Sequence, residues 1–294
     1  MVTIAMAQHN PNKTMFVFNK LQLNPAYAGS KNAMTVGVHY RHQWQGVSGA
    51  PRTLSAFAHT PIAGQRNGVG FSLTADEIGI FNTIYSNLAY AYKIGFKDDT
   101  RLSLGINAQY EFSRFDWSKA ELIDQIDSTI PFDQTSSSSI NFGLGLYYEG
   151  KNFFVGASIP QMLRNSITSE LYTSFSQLNP LQTYYLMGGY VFYVNKNISI
   201  KPSLLISYLP NAPFEADLNL SVLFLDTFWV GASYRLEEAA SLFIQVPVRK
   251  GLKVALGADY ALSDINQFTK GSFELMLNYT LSYEDDKINN IRFF

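Results

Sequence analysis

A regular alternation of apolar and polar residues runs through most of the chain and predicts β-strands with one apolar and one polar face. The stretch 101–113, RLSLGINAQYEFS, places its apolar side chains on one face and its polar or small residues on the other. The stretch 272–283, SFELMLNYTLSY, alternates in the same way. Because no helical period competes over any long window, we predict an all-β fold.

The alternation divides the chain into fourteen predicted strands, separated by residues that favour turns. Two longer stretches, 117–139 and 161–180, are polar and poor in strand signals. The predicted strands cover residues 33–45, 52–62, 66–77, 81–96, 99–116, 137–149, 151–160, 181–195, 196–209, 213–225, 227–237, 240–250, 251–262 and 268–284.

The lengths of these strands and links indicate a membrane barrel. Many strands reach the roughly 9–11 residues that a tilted strand needs to cross a bilayer, whereas globular strands average about 5–6. Links after even-numbered strands are all short, and the two long links, 117–136 and 161–180, follow odd-numbered strands. Outer-membrane barrels have short periplasmic turns and longer outer loops. We therefore predict a single-chain transmembrane antiparallel β-barrel of the outer-membrane type, with about 14 strands.

Such a barrel requires apolar faces towards lipid and polar faces towards the lumen, since lipid offers no hydrogen bonds to an open sheet edge. Aromatic residues near strand ends fit the girdles at the two lipid interfaces. The candidates are Trp44, Phe115, Trp117, Tyr193, Phe228 and Trp229. The alternative is a soluble sandwich whose aromatics fill a core, and the long faces and polar lumen side argue against it.

Composition agrees with this fold and excludes several functions. The 294 residues carry a net charge of −1, which provides no field for nucleic acid, and only 15% are charged. No apolar run reaches the ~18 residues of a membrane-spanning helix. The absence of cysteine excludes disulfides and thiolate metal sites. The first seven residues end in an Ala-x-Ala pattern, which predicts the remnant of a signal peptide, with a disordered tail as the alternative.

The sequence contains no recognisable catalytic, phosphate-binding or metal-binding motif. His39 and His59 could face each other across the first hairpin, and an ordinary pair in the lumen is favoured over a metal pair. Charged residues on the polar faces are expected to form a paired network rather than a catalytic set. They are Lys93, Arg101, Glu111, Lys253, Asp259 and Glu274. We predict a protein that is not an enzyme and has no cofactor.

Two stretches rich in glycine and proline stand apart: NPAYAGS at 24–30 and QWQGVSGAPRT at 43–53. Turn formation explains their glycine and proline but not their joint occurrence with Arg41 and Trp44. Together, residues 16–62 resemble the N-terminal signature of the PorP/SprF family, outer-membrane proteins of the type IX secretion and gliding machinery of Bacteroidota. The signature residues, which are also the candidate partner-docking residues, are Asn24, Pro25, Ala26, Tyr27, Gly29, Ser30, Arg41, Trp44, Gly49 and Pro51.

The resemblance implies a non-enzymatic role in the outer membrane. Family members help to secrete or anchor a surface adhesin or other cargo with a C-terminal secretion domain. The implied partners are this cargo, periplasmic ring lipoproteins, a peptidoglycan-binding protein of the machine, and outer-membrane lipid. The alternative function is an outer-membrane porin or a transporter of hydrophobic substrates, for which a polar lumen is equally suitable.

The predicted organisation is a signal-peptide remnant at 1–7, an N-terminal periplasmic segment at 8–32, the barrel at 33–284 and a tail at 285–294. We hypothesise that residues 24–30 lie at the periplasmic end of the first strand. There they would plug the lumen or dock a partner, and the alternative is that they only cap the barrel. Contact between Arg41 and cargo at the outer end of the first hairpin is a weaker hypothesis.

Overall fold

The structure is a computed structural model that describes residues 14–31, 33–62, 65–119, 135–163, 182–210, 212–225 and 227–281. The predicted remnant at 1–7 and the predicted tail at 285–294 lie outside these residues. No helix within the described ranges is long and apolar enough to cross a membrane.

Fourteen antiparallel strands form one closed sheet, which confirms the predicted fold class and strand number. Each strand pairs with its neighbours in sequence, and the last strand pairs with the first from Met34↔Leu281 to His42↔Phe273. The strands are β1 (Met34–His42), β2 (Arg52–Ile62), β3 (Asn67–Ile78), β4 (Phe81–Gly95), β5 (Arg101–Phe115), β6 (Thr135–Glu149), β7 (Phe153–Ile159), β8 (Tyr184–Tyr190 and Phe192–Asn195), β9 (Ile198–Tyr208), β10 (Glu215–Phe224), β11 (Phe228–Arg235), β12 (Ala239–Arg249), β13 (Leu252–Ala261) and β14 (Ser272–Leu281).

The barrel buries its polar residues and exposes its apolar ones, the reverse of a soluble sandwich. In β5, Ser103 and Asn107 are 1% and 5% exposed, whereas Leu104 and Ile106 are 42% and 55% exposed. The same alternation recurs in most other strands. The predicted orientation, with apolar faces towards lipid and polar faces towards the lumen, therefore describes this molecule.

The two ends of the barrel differ in the length of their connections. At one end, here called the short-turn end, links such as 96–100 and 250–251 join consecutive strands. At the other, here called the long-loop end, the links include 116–134 and 160–183. By the general rule for such barrels, the short-turn end faces the periplasm.

The predicted aromatic girdle is correct for some residues and wrong for others. Tyr193 and Phe228 are 50% and 42% exposed and lie near the short-turn end. Phe115 and Trp229 are instead buried, at 5% and 6% exposure. Trp229 is one of the alternate residues of β11 that face the lumen, and Lys201 Nζ lies 4.5 Å from the centroid of its ring. An aromatic residue near a strand end can therefore pack inside the barrel, since its position along the strand does not determine its face.

Candidate functional site

Residues 14–31, here called the inner segment, are folded inside the barrel. The segment contains two short 3-10 turns, Thr14–Val17 and Pro25–Tyr27. Its first residues bond to Glu274, the third residue of β14 counted from the long-loop end. Near its other end, the Ser30 carbonyl accepts a hydrogen bond from Arg101, the first residue of β5 at the short-turn end. The inner segment therefore runs through the lumen from the long-loop half to the short-turn end, where β1 begins.

Asn24 holds the second turn and ties it to the barrel wall. Its Oδ1 accepts a hydrogen bond from the Ala26 N–H at 3.0 Å, the usual N-cap arrangement, and Pro25 follows at the first position of the turn. The Nδ2 group donates to the carbonyls of Leu146 and Ala157, at 2.9 and 3.4 Å, on β6 and β7. One buried amide therefore shapes the turn and also fixes its place against two strands.

Glycines on the lumen face of the wall make room for this turn. A Cβ on Gly105 would lie 2.1 Å from the Ala26 nitrogen, and one on Gly145 would lie 2.1 Å from Asn24 Oδ1. A Cβ on Gly68 would lie 2.0 Å from the Ala28 carbonyl oxygen. These positions belong to β3, β5 and β6, so the wall and the inner segment approach at backbone distance over a wide arc.

Aromatic contacts fill the space beside the turn. The Tyr27 ring meets Tyr147 edge-on at 5.5 Å and His59 at 5.4 Å between centroids. Lys20 Nζ lies 5.2 Å from the Tyr27 ring and 4.6 Å from the Phe154 ring. Burial removes this ammonium group from water, which costs free energy. The rings compensate part of that desolvation by cation–π attraction.

Polar contacts hold the segment where it leaves the lumen. Gly29 has a φ of +63°, its N–H donates to His59 Nδ1 at 3.2 Å, and its carbonyl accepts from Lys93. The Ser30 carbonyl accepts from Arg101 Nη2 at 2.9 Å, and the same guanidinium pairs with Glu149. The left-handed backbone and the close approach to Gly68 explain why residue 29 is glycine.

A buried charge cluster holds the other end. Glu274 accepts hydrogen bonds from the N–H groups of Thr14 and Met15, at 2.9 and 3.1 Å, and its side chain is fully buried. Arg41 bridges Glu274 and Asp259, the latter at 2.6 Å. His39 Nε2 lies 2.9 Å from the second Glu274 oxygen. The cluster links the start of the inner segment to three strands of the wall.

The two histidines do not pair across the first hairpin, so the expectation that they could face each other was wrong. The register places His39 opposite Ser55 and His59 opposite Thr35. His59 bonds to the inner segment instead. Among the described residues, no group of His, Asp or Glu side chains is arranged to hold a metal ion.

The ten signature residues occupy three places rather than one. Asn24, Pro25, Ala26, Tyr27, Gly29 and Ser30 form the turn inside the lumen and its exit. Arg41 lies in the buried charge cluster, with its side chain inside the lumen. Trp44, Gly49 and Pro51 lie in the β1–β2 loop at the long-loop end.

The β1–β2 loop has its own constraints. Trp44 has a φ of 48°, and its backbone N–H donates to Ser272 Oγ at 3.0 Å. The Pro51 carbonyl accepts a hydrogen bond from the backbone N–H of Gln43 at 2.9 Å. Gly49 has a φ of +68°, and a Cβ there would lie 3.0 Å from the Gly79 Cα. These contacts give the loop a defined shape. The docking role predicted for the signature residues stays a prediction.

Residues outside the signature also hold the segment in place. The alternation places Asp259 and Glu274 on the polar face, but nothing in the sequence connects them to residues 14 and 15. The close approach at the wall glycines could have been predicted from the sequence, since a glycine inside a strand often marks a place where another backbone comes near. That signal does not identify the partner.

Replacing Asn24 should loosen the inner segment, because its amide both caps the turn and bonds to the wall. Asn24→Ala removes all three hydrogen bonds, and we expect the stability of the segment to fall by about 1–3 kcal/mol. Asn24→Asp keeps the cap acceptor but places a carboxylate beside two carbonyl oxygens, so it should be at least as damaging. Measuring trypsin cleavage after buried Lys20 in folded barrels tests this. Equal cleavage in Asn24→Asp and the parent protein would contradict the role of Nδ2.

Comparison with known proteins adds a family and a fold. Residues 5–279 of the chain match the sequence profile of a family described as "Type IX secretion system membrane protein PorP/SprF". No curated protein matches the chain.

Three solved structures are similar in fold at low sequence identity. The Acinetobacter baumannii outer membrane protein Omp33 has a TM-score of 0.51 at 11% identity, covering 86% of this chain and 100% of that chain. A Pseudomonas aeruginosa FadL homologue has a TM-score of 0.52 at 12% identity, covering 94% and 95%. The CymD monoaromatic hydrocarbon channel has a TM-score of 0.53 at 12% identity, covering 90% and 92%. These similarities support the outer-membrane barrel fold.

Proposed function

Because the chain belongs to the PorP/SprF family of type IX secretion system membrane proteins, we propose that it helps to secrete or anchor a surface adhesin or other cargo with a C-terminal secretion domain. In this role it is a non-enzymatic outer-membrane component that links the cargo to the periplasmic parts of the machine. Those parts are the ring lipoproteins and the peptidoglycan-binding protein implied by the family.

The observation that carries the proposal is the occupied lumen. The polar side chains that a porin would present to water here bond to the inner segment, as Arg101, Lys93 and Glu274 do. The segment contacts strands on opposite sides of the barrel, from β6 and β7 at Asn24 to β13 and β14 at Thr14. An anchor protein works with such a filled lumen, whereas a porin or transporter needs a continuous path.

The short-turn end supports a link to periplasmic parts. It carries exposed basic side chains on most of its turns, and these are Arg66, Lys97, Lys151, Lys196, Arg249 and Lys250. In the described turns of this end the exposed acidic residues are Asp98 and Asp99. A largely basic rim of this kind suits a partner with an acidic surface. We infer that this rim docks the periplasmic partner, whereas residues 24–30, which are buried inside the barrel, act as the plug among the roles hypothesised for them.

Deleting residues 8–30 separates this proposal from a channel. We expect the deletion variant to fold as a barrel, because the strand pairing does not involve the segment, but to abolish surface display of the cargo. In planar bilayers the complete protein should show no large steady conductance, whereas the deletion variant should conduct.

The control for this experiment is a pair of measurements on the same cells: the amount of heat-modifiable barrel and the total amount of cargo made. Wild-type display by the deletion variant would contradict the anchor role of the segment. Large steady conductance by the complete protein would favour the porin or transporter.

A further inference from the structure

A groove lies on the outer surface of the barrel at the short-turn ends of β4, β5 and β6. Its volume is about 530 Å³, in the range of ligand-binding clefts. Its lining combines apolar rings with charged turn residues and comprises Phe96, Lys97, Asp98, Thr100, Leu102 and Tyr148.

The floor of the groove is apolar and faces lipid. Leu102 and Tyr148 are directly opposite each other in the β5–β6 pairing, on the same face as the exposed residues Leu104 and Ile106. The Phe96 ring stands edge-on to the Tyr148 ring at 6.4 Å between centroids. On the far side, the Phe153 ring lies 5.5 Å from Tyr148. Rigid aromatic rings thus border a recess that a flexible hydrocarbon chain can fill.

The edge of the groove carries charges of both signs at headgroup depth. Lys97, Asp98 and Asp99 are exposed in the β4–β5 turn, and Lys151 is exposed in the β6–β7 turn beside it. Asp98 accepts hydrogen bonds from the Thr100 hydroxyl and N–H, at 2.6 and 3.3 Å. These bonds, the hydroxyl first, lower the pKa of Asp98 below its ordinary value, so its carboxylate stays ionised.

We propose that this groove binds one phospholipid of the periplasmic leaflet whose headgroup is phosphoethanolamine. Its acyl chain lies over Leu102 and against the outer faces of the Phe96 and Tyr148 rings, Lys97 and Lys151 contact its phosphate, and the carboxylates of the β4–β5 turn accept hydrogen bonds from its ammonium group. Two cations and two anions match a zwitterionic headgroup better than a purely anionic one. The position at the short-turn ends selects the periplasmic leaflet.

Native mass spectrometry of the complete purified protein, exchanged into detergent with defined lipids, tests this site. We expect one retained phosphatidylethanolamine and about tenfold weaker retention of phosphatidylglycerol, which lacks the ammonium. Phosphatidylcholine, whose ammonium has no hydrogen to donate, should also be retained poorly. Equal retention of all three lipids, or a preference for phosphatidylglycerol, would overturn the headgroup assignment.

Matched variants locate the lipid on the molecule. Leu102→Trp fills the groove and should abolish retention, whereas Ile106→Trp adds the same ring to the lipid face of the same strand outside the groove and should retain it. Lys97→Gln should lower retention about tenfold, and Lys196→Gln, on a different short turn, should not. Heat-modifiable gel mobility establishes that each variant is folded. Identical behaviour of the two tryptophan variants would reject the groove as the site, whatever the result for cargo display.

Discussion

Gly105→Ala is expected to displace the inner segment while the barrel stays folded. A Cβ at this position would lie 2.1, 2.4 and 2.5 Å from three backbone atoms of Pro25 and Ala26. Backbone atoms of a capped turn cannot move aside as a flexible side chain can. Overpacking of this kind costs about 1–3 kcal/mol. Here it destabilises the position of the inner segment against the barrel wall.

Trypsin measures this displacement directly. Lys20 is 1% exposed, so cleavage after it reports opening of the segment. We expect cleavage after Lys20 to be about tenfold faster or more in Gly105→Ala, with unchanged heat-modifiable mobility of the barrel. Sequencing the N-terminus of the large fragment identifies the cleaved bond.

The matched control for this experiment is Gly95→Ala. Gly95 lies on the neighbouring strand β4, and a Cβ there meets nothing within 4 Å. This control should leave cleavage after Lys20 unchanged. If Gly105→Ala and Gly95→Ala were cleaved after Lys20 at the same rate, the missing side chain at Gly105 would not be what makes room for the inner segment. If Gly105→Ala failed to form a barrel, the glycine would serve the sheet itself.

Arg41→Met should be among the most destabilising single substitutions in the lumen. Arg41 is 2% exposed and bridges Asp259 and Glu274, so its removal leaves two buried carboxylates without their shared cation. Breaking a buried ion pair from one side costs about 3–5 kcal/mol. The temperature at which the barrel loses its heat-modifiable mobility should fall accordingly. Exposed Arg52→Met on β2 is the control and should have little effect.

A double variant separates this structural role from contact with cargo. Glu274→Gln removes one of the uncompensated charges, so Arg41→Met with Glu274→Gln should be more stable than Arg41→Met alone. If Arg41 instead acts by touching cargo, display would fall in Arg41→Met without any decrease in thermal stability. Unchanged stability together with unchanged display would contradict both roles.

Several features of the barrel were predictable because they are encoded locally. Strand alternation has a period of two residues, so the faces of β5 and β14 can be read from 101–113 and 272–283 directly. Short links after even-numbered strands and longer links after odd-numbered ones predicted an antiparallel barrel, in which each strand pairs with its neighbours in sequence. The signature over residues 16–62 predicted the family, which the match over residues 5–279 confirms.

Aromatic residues and histidines were less predictable. The burial of Phe115 and Trp229 depends on which face of the strand each occupies near its end. The separation of His39 from His59 depends on the length of the β1–β2 loop, which sets the register. The alternation in 101–113 continues to Phe115 and places it on the lumen face, so the girdle prediction failed because it considered only the position near the strand end. The histidine register, in contrast, changes with a single residue of loop length, which sequence patterns do not resolve.

By itself, then, the sequence determined the strands, their two faces, the closed antiparallel barrel and the family. Only the tertiary structure decided what fills the lumen. The bond from the Thr14 N–H to Glu274 joins residues 260 positions apart, and the close approach of Ala26 to Gly105 crosses from the inner segment to the fifth strand. Such contacts carry no local period, because they arise only when the closed sheet brings distant polar and glycine positions to face the same interior.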